Sequence, residues 1–114
     1  MRDINSSEDC SFLIKHFYEK LLIDPIIGHF FSSLPLQEHI ERVASFWSFI
    51  LLDQPGYTGN MMEAHSHLKL STYDFDRWLE LFHETINEHF SGEKANLAIQ
   101  RSLLIAMTMR SKMT

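Results

Sequence analysis

The sequence predicts an all-α protein of a single domain. Three observations carry that reading: apolar residues recur at spacings of three and four through the long segments, the prolines and glycines fall between those segments, and no stretch shows sustained period-two alternation or an Asn-Gly hairpin turn. The 114 residues, 45% apolar and 12% aromatic, supply material for one compact core and too little for two.

About five helices follow from local chemistry. Ser6 and Ser7 ahead of Glu8 and Asp9 form an N-terminal cap, after which Ile14, Tyr18, Leu21 and Leu22 share one face of a first helix that ends near Ile23. Asp24-Pro25 reads as a cap with proline in the first helical position, opening a short turn that runs through Gly28 to Phe31. Pro35 starts the next helix in the same way. There Ile40, Val43, Ala44, Trp47 and Leu51 keep helical spacing until Gln54-Pro55-Gly56 stops it. Between Gly59 and Ser71 lies a shorter piece in which Met61, Met62, His65 and Leu68 fit one helical face. Ser71-Thr72-Tyr73-Asp74 caps the most clearly patterned helix, which carries Phe75, Trp78, Leu79, Phe82, Ile86 and Phe90. Ser91-Gly92-Glu93 breaks it. The last helix then presents Leu97, Leu104 and Ile105 ahead of a basic end, Arg110 and Lys112, that suits the helix dipole.

Charge and cysteine content narrow the partners. Ten Lys and Arg against 15 Asp and Glu leave a formal charge of −5, which repels nucleic-acid phosphate and anionic lipid, so neither nucleic acid nor membrane is an expected partner. The longest mostly apolar stretch, around Ser45 to Leu52, falls well short of the roughly 20 residues a membrane helix needs. Cys10 is the single cysteine and can form no internal disulfide, and the start Met1-Arg2-Asp3-Ile4-Asn5 lacks a secretory pattern. A reducing cytoplasm is the expected location.

Seven histidines raise a metal hypothesis. Zinc sites of the paired kind need histidines at i, i+4 with a helical glutamate, or cysteine pairs, and neither occurs. A di-iron carboxylate bundle needs two Glu-x-x-His units, and only Glu80-Leu81-Phe82-His83 fits. No Gly-rich phosphate loop or nucleophile elbow is present. What remains is a set of polar groups placed singly on apolar faces. His65 shares its face with Met61, Met62 and Leu68, whereas His67 points away beside Glu63. That placement fits either a hydrogen-bonded core histidine or a single axial ligand to a porphyrin iron. Tyr18 carries a hydroxyl into an apolar interior, where lack of a partner costs about 1–3 kcal/mol. Trp78 has an indole N–H that can only donate. Both fit ordinary aromatic packing as well as a distal ligand site. His39, at the edge of its helix's apolar stripe, reads as a gate over a pocket or as a boundary residue.

In this order and at these separations, the residues resemble the truncated haemoglobins, specifically their group III. The resemblance spans nearly the whole chain. It rests on His16-Phe17-Tyr18-Glu19-Lys20, on Glu38-His39 followed by Ser45-Phe46-Trp47, on Tyr57-Thr58-Gly59 leading to His65, and on Phe75-Asp76-Arg77-Trp78-Leu79-Glu80-Leu81-Phe82. The paired-glycine motifs of groups I and II are absent, while Met61-Met62 and His67 depart from the usual pattern. The resemblance implies a shortened globin, a two-over-two helical sandwich around haem b. It makes His65 the proximal iron ligand and places Tyr18, His39 and Trp78 on the distal side. Phe31, Val43, Phe46, Met61 and Leu68 are expected against the porphyrin, and the polar tail after Met107 is expected to make no haem contact.

Such a protein would bind O₂, NO or CO at ferrous iron. Two oriented donors would slow release of O₂, which suits tight binding or redox turnover with NO or peroxide, as in an NO dioxygenase or a peroxidase, more than storage. An unidentified reductase would keep the iron ferrous. The competing reading is a cofactor-free helical interaction module whose aromatic residues fill a core.

Overall fold

The computed structural model describes residues 1–57 and 70–113, with side chains placed through residue 111. Its elements are α1 (Ser7–Ile23), a 3-10 turn (Gly28–Phe30), α2 (Leu36–Leu52), α3 (Thr72–His89) and α4 (Glu93–Met113). Among the described residues there is no strand. The short piece expected between Gly59 and Ser71, with Met61, Met62, His65 and Leu68, falls outside them.

Capping side chains set two of the helix starts. The Ser6 hydroxyl accepts from the Asp9 N–H at 3.2 Å, and Glu8 and Asp9 place negative charge in the first turn of α1. At α3 the cap is reciprocal: the Ser71 hydroxyl accepts from the Asp74 N–H at 3.1 Å, and the Asp74 carboxylate accepts from the Ser71 N–H at 2.9 Å. Pro35 sits one position outside the place its sequence suggests, as the N-cap of α2 rather than its first helical residue. The same helix also stops before Gln54-Pro55-Gly56. Asp53 takes the left-handed conformation, φ 55°, which its short polar side chain tolerates, and its N–H donates to the Ser48 carbonyl.

Two helix pairs make the body: α1 lies against α2 and α4 against α3, and contacts of α1 with α3 and of α2 with α4 join the pairs. Phe82, fully buried, is the hinge-pin of the core. Its ring stacks on Trp47 at 5.1 Å and on Trp78 at 5.3 Å, and Phe17 meets it edge-on at 5.0 Å. One aromatic cluster thereby ties α1, α2 and α3 together.

The face of α4 differs from the expected one. Leu104 is exposed, and Leu97 and Ile105 are only half-buried, whereas Ala95, Ala98, Ser102, Ala106 and Met109 form the buried stripe. Small side chains let the α4 backbone approach its neighbours closely, and the larger Leu103, Leu104 and Met107 turn outward. Size complementarity, not hydrophobicity, selects the face.

Two carboxylates fix the ends of these elements from a distance. Asp3 accepts from the Lys94 and Ala95 N–H groups at 2.8 and 2.9 Å, so the N-terminal segment caps α4 across 91 and 92 residues. Gly92 makes room for it: φ is +136°, and a Cβ there would lie 2.7 Å from the Asp3 side chain. Asp24, buried, accepts from the Ile26 and Ile27 N–H groups and from Arg77 Nε and Nη2 at 2.8 and 2.7 Å, linking the turn after α1 to the first half of α3. Gly28 follows in that turn, where a Cβ would meet the Leu22 carbonyl oxygen at 2.6 Å.

Candidate functional site: an aromatic cleft with a phenol–imidazole pair

Helices α1, α2, α3 and α4 all contribute to one cleft. Ile14, Phe17 and Tyr18 come from α1, Val43, Phe46 and Trp47 from α2, Phe75 and Trp78 from α3, and Ile105, Ala106 and Met109 from α4, with Leu70 completing the lining. The cavity volume is about 30 Å³, and the gaps between its walls, open solvent included, come to about 520 Å³. Among these lining residues, Tyr18 carries a hydroxyl and Trp47 and Trp78 an indole N–H each, and the rest of the side chains are apolar.

Tyr18 is buried, and its hydroxyl shares a hydrogen bond of 2.6 Å with His39 Nε2. The two rings meet edge-on, centroids 5.2 Å apart and planes at 89°. Burial pushes the Tyr18 phenol far above its ordinary pKa, so the hydroxyl stays protonated across the physiological range. The partner that an interior phenol requires is therefore an imidazole carried by the first turns of α2.

The remaining expected site residues divide by position. Val43, Phe46 and Trp78 line the cleft as expected. Phe46 stands edge-on to Trp47 at 5.5 Å and to Tyr57 at 5.3 Å, while Trp78 stacks on Phe82 and meets Phe17 edge-on at 5.5 Å. Phe31 is buried against Tyr18, centroids 6.1 Å apart, and His39 reaches Tyr18; neither belongs to the cleft lining. His65, Met61 and Leu68 lie outside the described residues. Beyond Met107, where no haem contact is expected, α4 runs on and brings buried Met109 into the cleft lining. Ile14, Trp47, Phe75 and Ile105 belonged to the apolar series of their helices, and it is their convergence on one space that only the packing reveals.

Other polar features are structural. His83 shares a 2.9 Å hydrogen bond with Ser102, whose hydroxyl donates to the Ile99 carbonyl, and burial pushes the His83 pKa down. His16 and His89 gather around Phe12 at the surface, ring centroids 4.9 Å apart. Among the described residues no group of three His, Cys, Asp or Glu side chains is placed to hold a metal ion, and no helix is long and apolar enough to cross a membrane.

A two-layer helical fold with one apolar, aromatic cleft open to all four helices defines a small α-helical protein of the ligand-pocket class. No family model matches the chain. It is 30% identical over 108 residues to the group 3 truncated hemoglobin ctb of Campylobacter jejuni, covering 89% of this chain and 85% of that protein. Over 73 residues it is 32% identical to the group 1 truncated hemoglobin of Tetrahymena pyriformis, covering 63% and 60% of the two chains. The crystal structure of group III truncated hemoglobin from Campylobacter jejuni superposes on the whole of this chain and 96% of that one, with a TM-score of 0.86 at 27% identity. The chain belongs to the truncated haemoglobin family, within group III, and its fold is the shortened globin fold.

Proposed function

We propose that the chain is a haem protein that binds diatomic gases, with the cleft between its helices as the haem site. The observation that carries the reading is the cleft lining, apolar and aromatic apart from one phenol and two indole N–H groups, in a chain of this family. A flat apolar macrocycle suits that lining, because burying its faces against Phe46, Val43 and Met109 gains about 25 cal/mol for each Å² removed from water. His65, by its match to the family pattern, is the residue proposed to hold the iron. The group, when bound, supplies ferrous iron b-type chemistry toward O₂, NO or CO.

The protein's own share is orientation and electrostatics. Tyr18 and Trp78 both line the cleft, and the O–H of one and the N–H of the other are the donors proposed for a polar ligand held there. Such donors favour retention over rapid release, which fits redox chemistry of NO or peroxide better than O₂ storage. That chemistry needs an electron source, proposed to be a separate reductase, in a reducing cytoplasm where Cys10 remains a buried thiol.

Haemin added to the purified protein, followed by reduction and CO, should give a Soret band that shifts on CO binding. His65→Ala should lose haem on gel filtration while remaining helical by circular dichroism. A folded protein that takes up no haemin would select the cofactor-free interaction module instead, and full haem retention by His65→Ala would remove the ligand assignment.

A further inference from the structure

His16, in the second half of α1, and His89, the last residue of α3, stand side by side with ring centroids 4.9 Å apart and planes at 36°. Phe12 packs against both rings, at 4.2 Å from His16 and 5.0 Å from His89. That contact accounts for where the rings sit and leaves their nitrogens unused. His16 Nδ1 faces Glu19 Oε2 at 3.6 Å, which turns Nε2 away from that carboxylate. Among the described residues neither His16 Nε2 nor the His89 ring has a hydrogen-bond partner. The surrounding charge favours a cation. Glu88 acts electrostatically on both imidazoles, and Lys20 is held by Glu84 and Glu88 at 2.8 and 2.5 Å.

We propose that His16 and His89 form a surface site for a divalent transition cation of the Zn²⁺ class, bound by two imidazole nitrogens with water completing its coordination. Borderline cations of this kind take neutral imidazole readily. With metal–nitrogen bonds of about 2.0–2.1 Å at a tetrahedral centre, the centroids of two ligating rings lie roughly 5 Å apart, and the helices already hold these two at 4.9 Å. A ligating histidine commonly has a carboxylate behind its other ring nitrogen, the place Glu19 takes beside His16. Two protein ligands, not three, define the site, and neither lines the cleft. The ion ties α1 to the end of α3, where Lys20 already reaches across to Glu84 and Glu88. The proposal stands apart from the haem reading.

The probe is Zn²⁺ alone, titrated into the purified full chain in competition with a chromophoric chelator, with thermal melts alongside. Zn²⁺ at ten times its dissociation constant should raise Tm by about 5–10 °C. His16→Gln and His89→Gln should each weaken binding about a hundredfold, because either leaves one ligand where two act together, and each should abolish the Tm rise. His29→Gln, which removes an exposed histidine of the 3-10 turn, should change neither readout. Circular dichroism identifies a variant that has lost its helices, and the other substitution then carries the test. Zn²⁺ held as tightly by a folded His16→Gln or His89→Gln chain as by the wild type, or no rise in Tm, would overturn the proposal, whether or not the protein shows a Soret band.

Discussion

Asp24→Asn isolates the link between the turn after α1 and the helix that carries Trp78. The carboxylate is almost fully enclosed, 2% exposed, and accepts from two backbone N–H groups and from two nitrogens of Arg77. An asparagine oxygen can keep the backbone bonds but loses the charge-assisted pair, each such bond contributing about 1.5–3 kcal/mol. Removing one partner of a fully buried pair costs about 3–5 kcal/mol. Arg77 is 29% exposed and keeps a 2.6 Å bond to Glu80, so it does not become a stranded charge. The expected destabilisation is therefore about 2 kcal/mol, a fall in Tm of roughly 8 °C for a domain of this size. Burial alone would raise the Asp24 pKa; the Arg77 guanidinium and the Ile27 and Ile26 N–H groups outweigh it and bring the carboxyl below its ordinary 3.8. A folded-state pKa below the unfolded one means stabilisation that is complete above the unfolded value and lost as pH falls through the folded one. Thermal melts of wild type and variant should differ fully at neutral pH and converge on acidification below 3.8. Equal melting at pH 7, or a gap that persists unchanged well below pH 3.8, would refute this account.

Two further substitutions probe the core and the chain ends. Phe82→Ala removes the ring that stacks on both Trp47 and Trp78 and should cost about 3–5 kcal/mol in urea titration, with a value under about 1 kcal/mol showing that the cluster carries little stability. Asp3→Ala strips α4 of its capping carboxylate and should cost about 1 kcal/mol, with faster amide exchange confined to Lys94 and Ala95; unaltered exchange there would deny the cap.

What the sequence makes legible is local. Ser6, Ser71 and Asp74 announce their helix starts because cap and capped N–H lie within three residues of each other. The apolar series of α1, α2 and α3 likewise predict the faces that are buried, with Tyr18, Val43, Phe75 and Phe82 all inside. Long-range complementarity leaves no such mark. The Asp3 cap joins positions 91 and 92 residues apart, and the buried stripe of α4 is built from alanines that a search for large apolar residues passes over in favour of Leu104. Tyr18 and His39 each stand out in the sequence as polar groups on apolar faces. That they bond to one another depends on how α1 crosses α2, which neither helix encodes alone.

The placement of the indoles has an optical consequence. The chain has two tryptophans, Trp47 and Trp78, and both border the cleft with Phe82 between them. Tryptophan emission from the unlabelled protein thus originates wholly at the wall of one compartment. Any chromophore that enters there lies within energy-transfer range of both indoles, so quenching of their emission reports its arrival directly, without a dye or a tag.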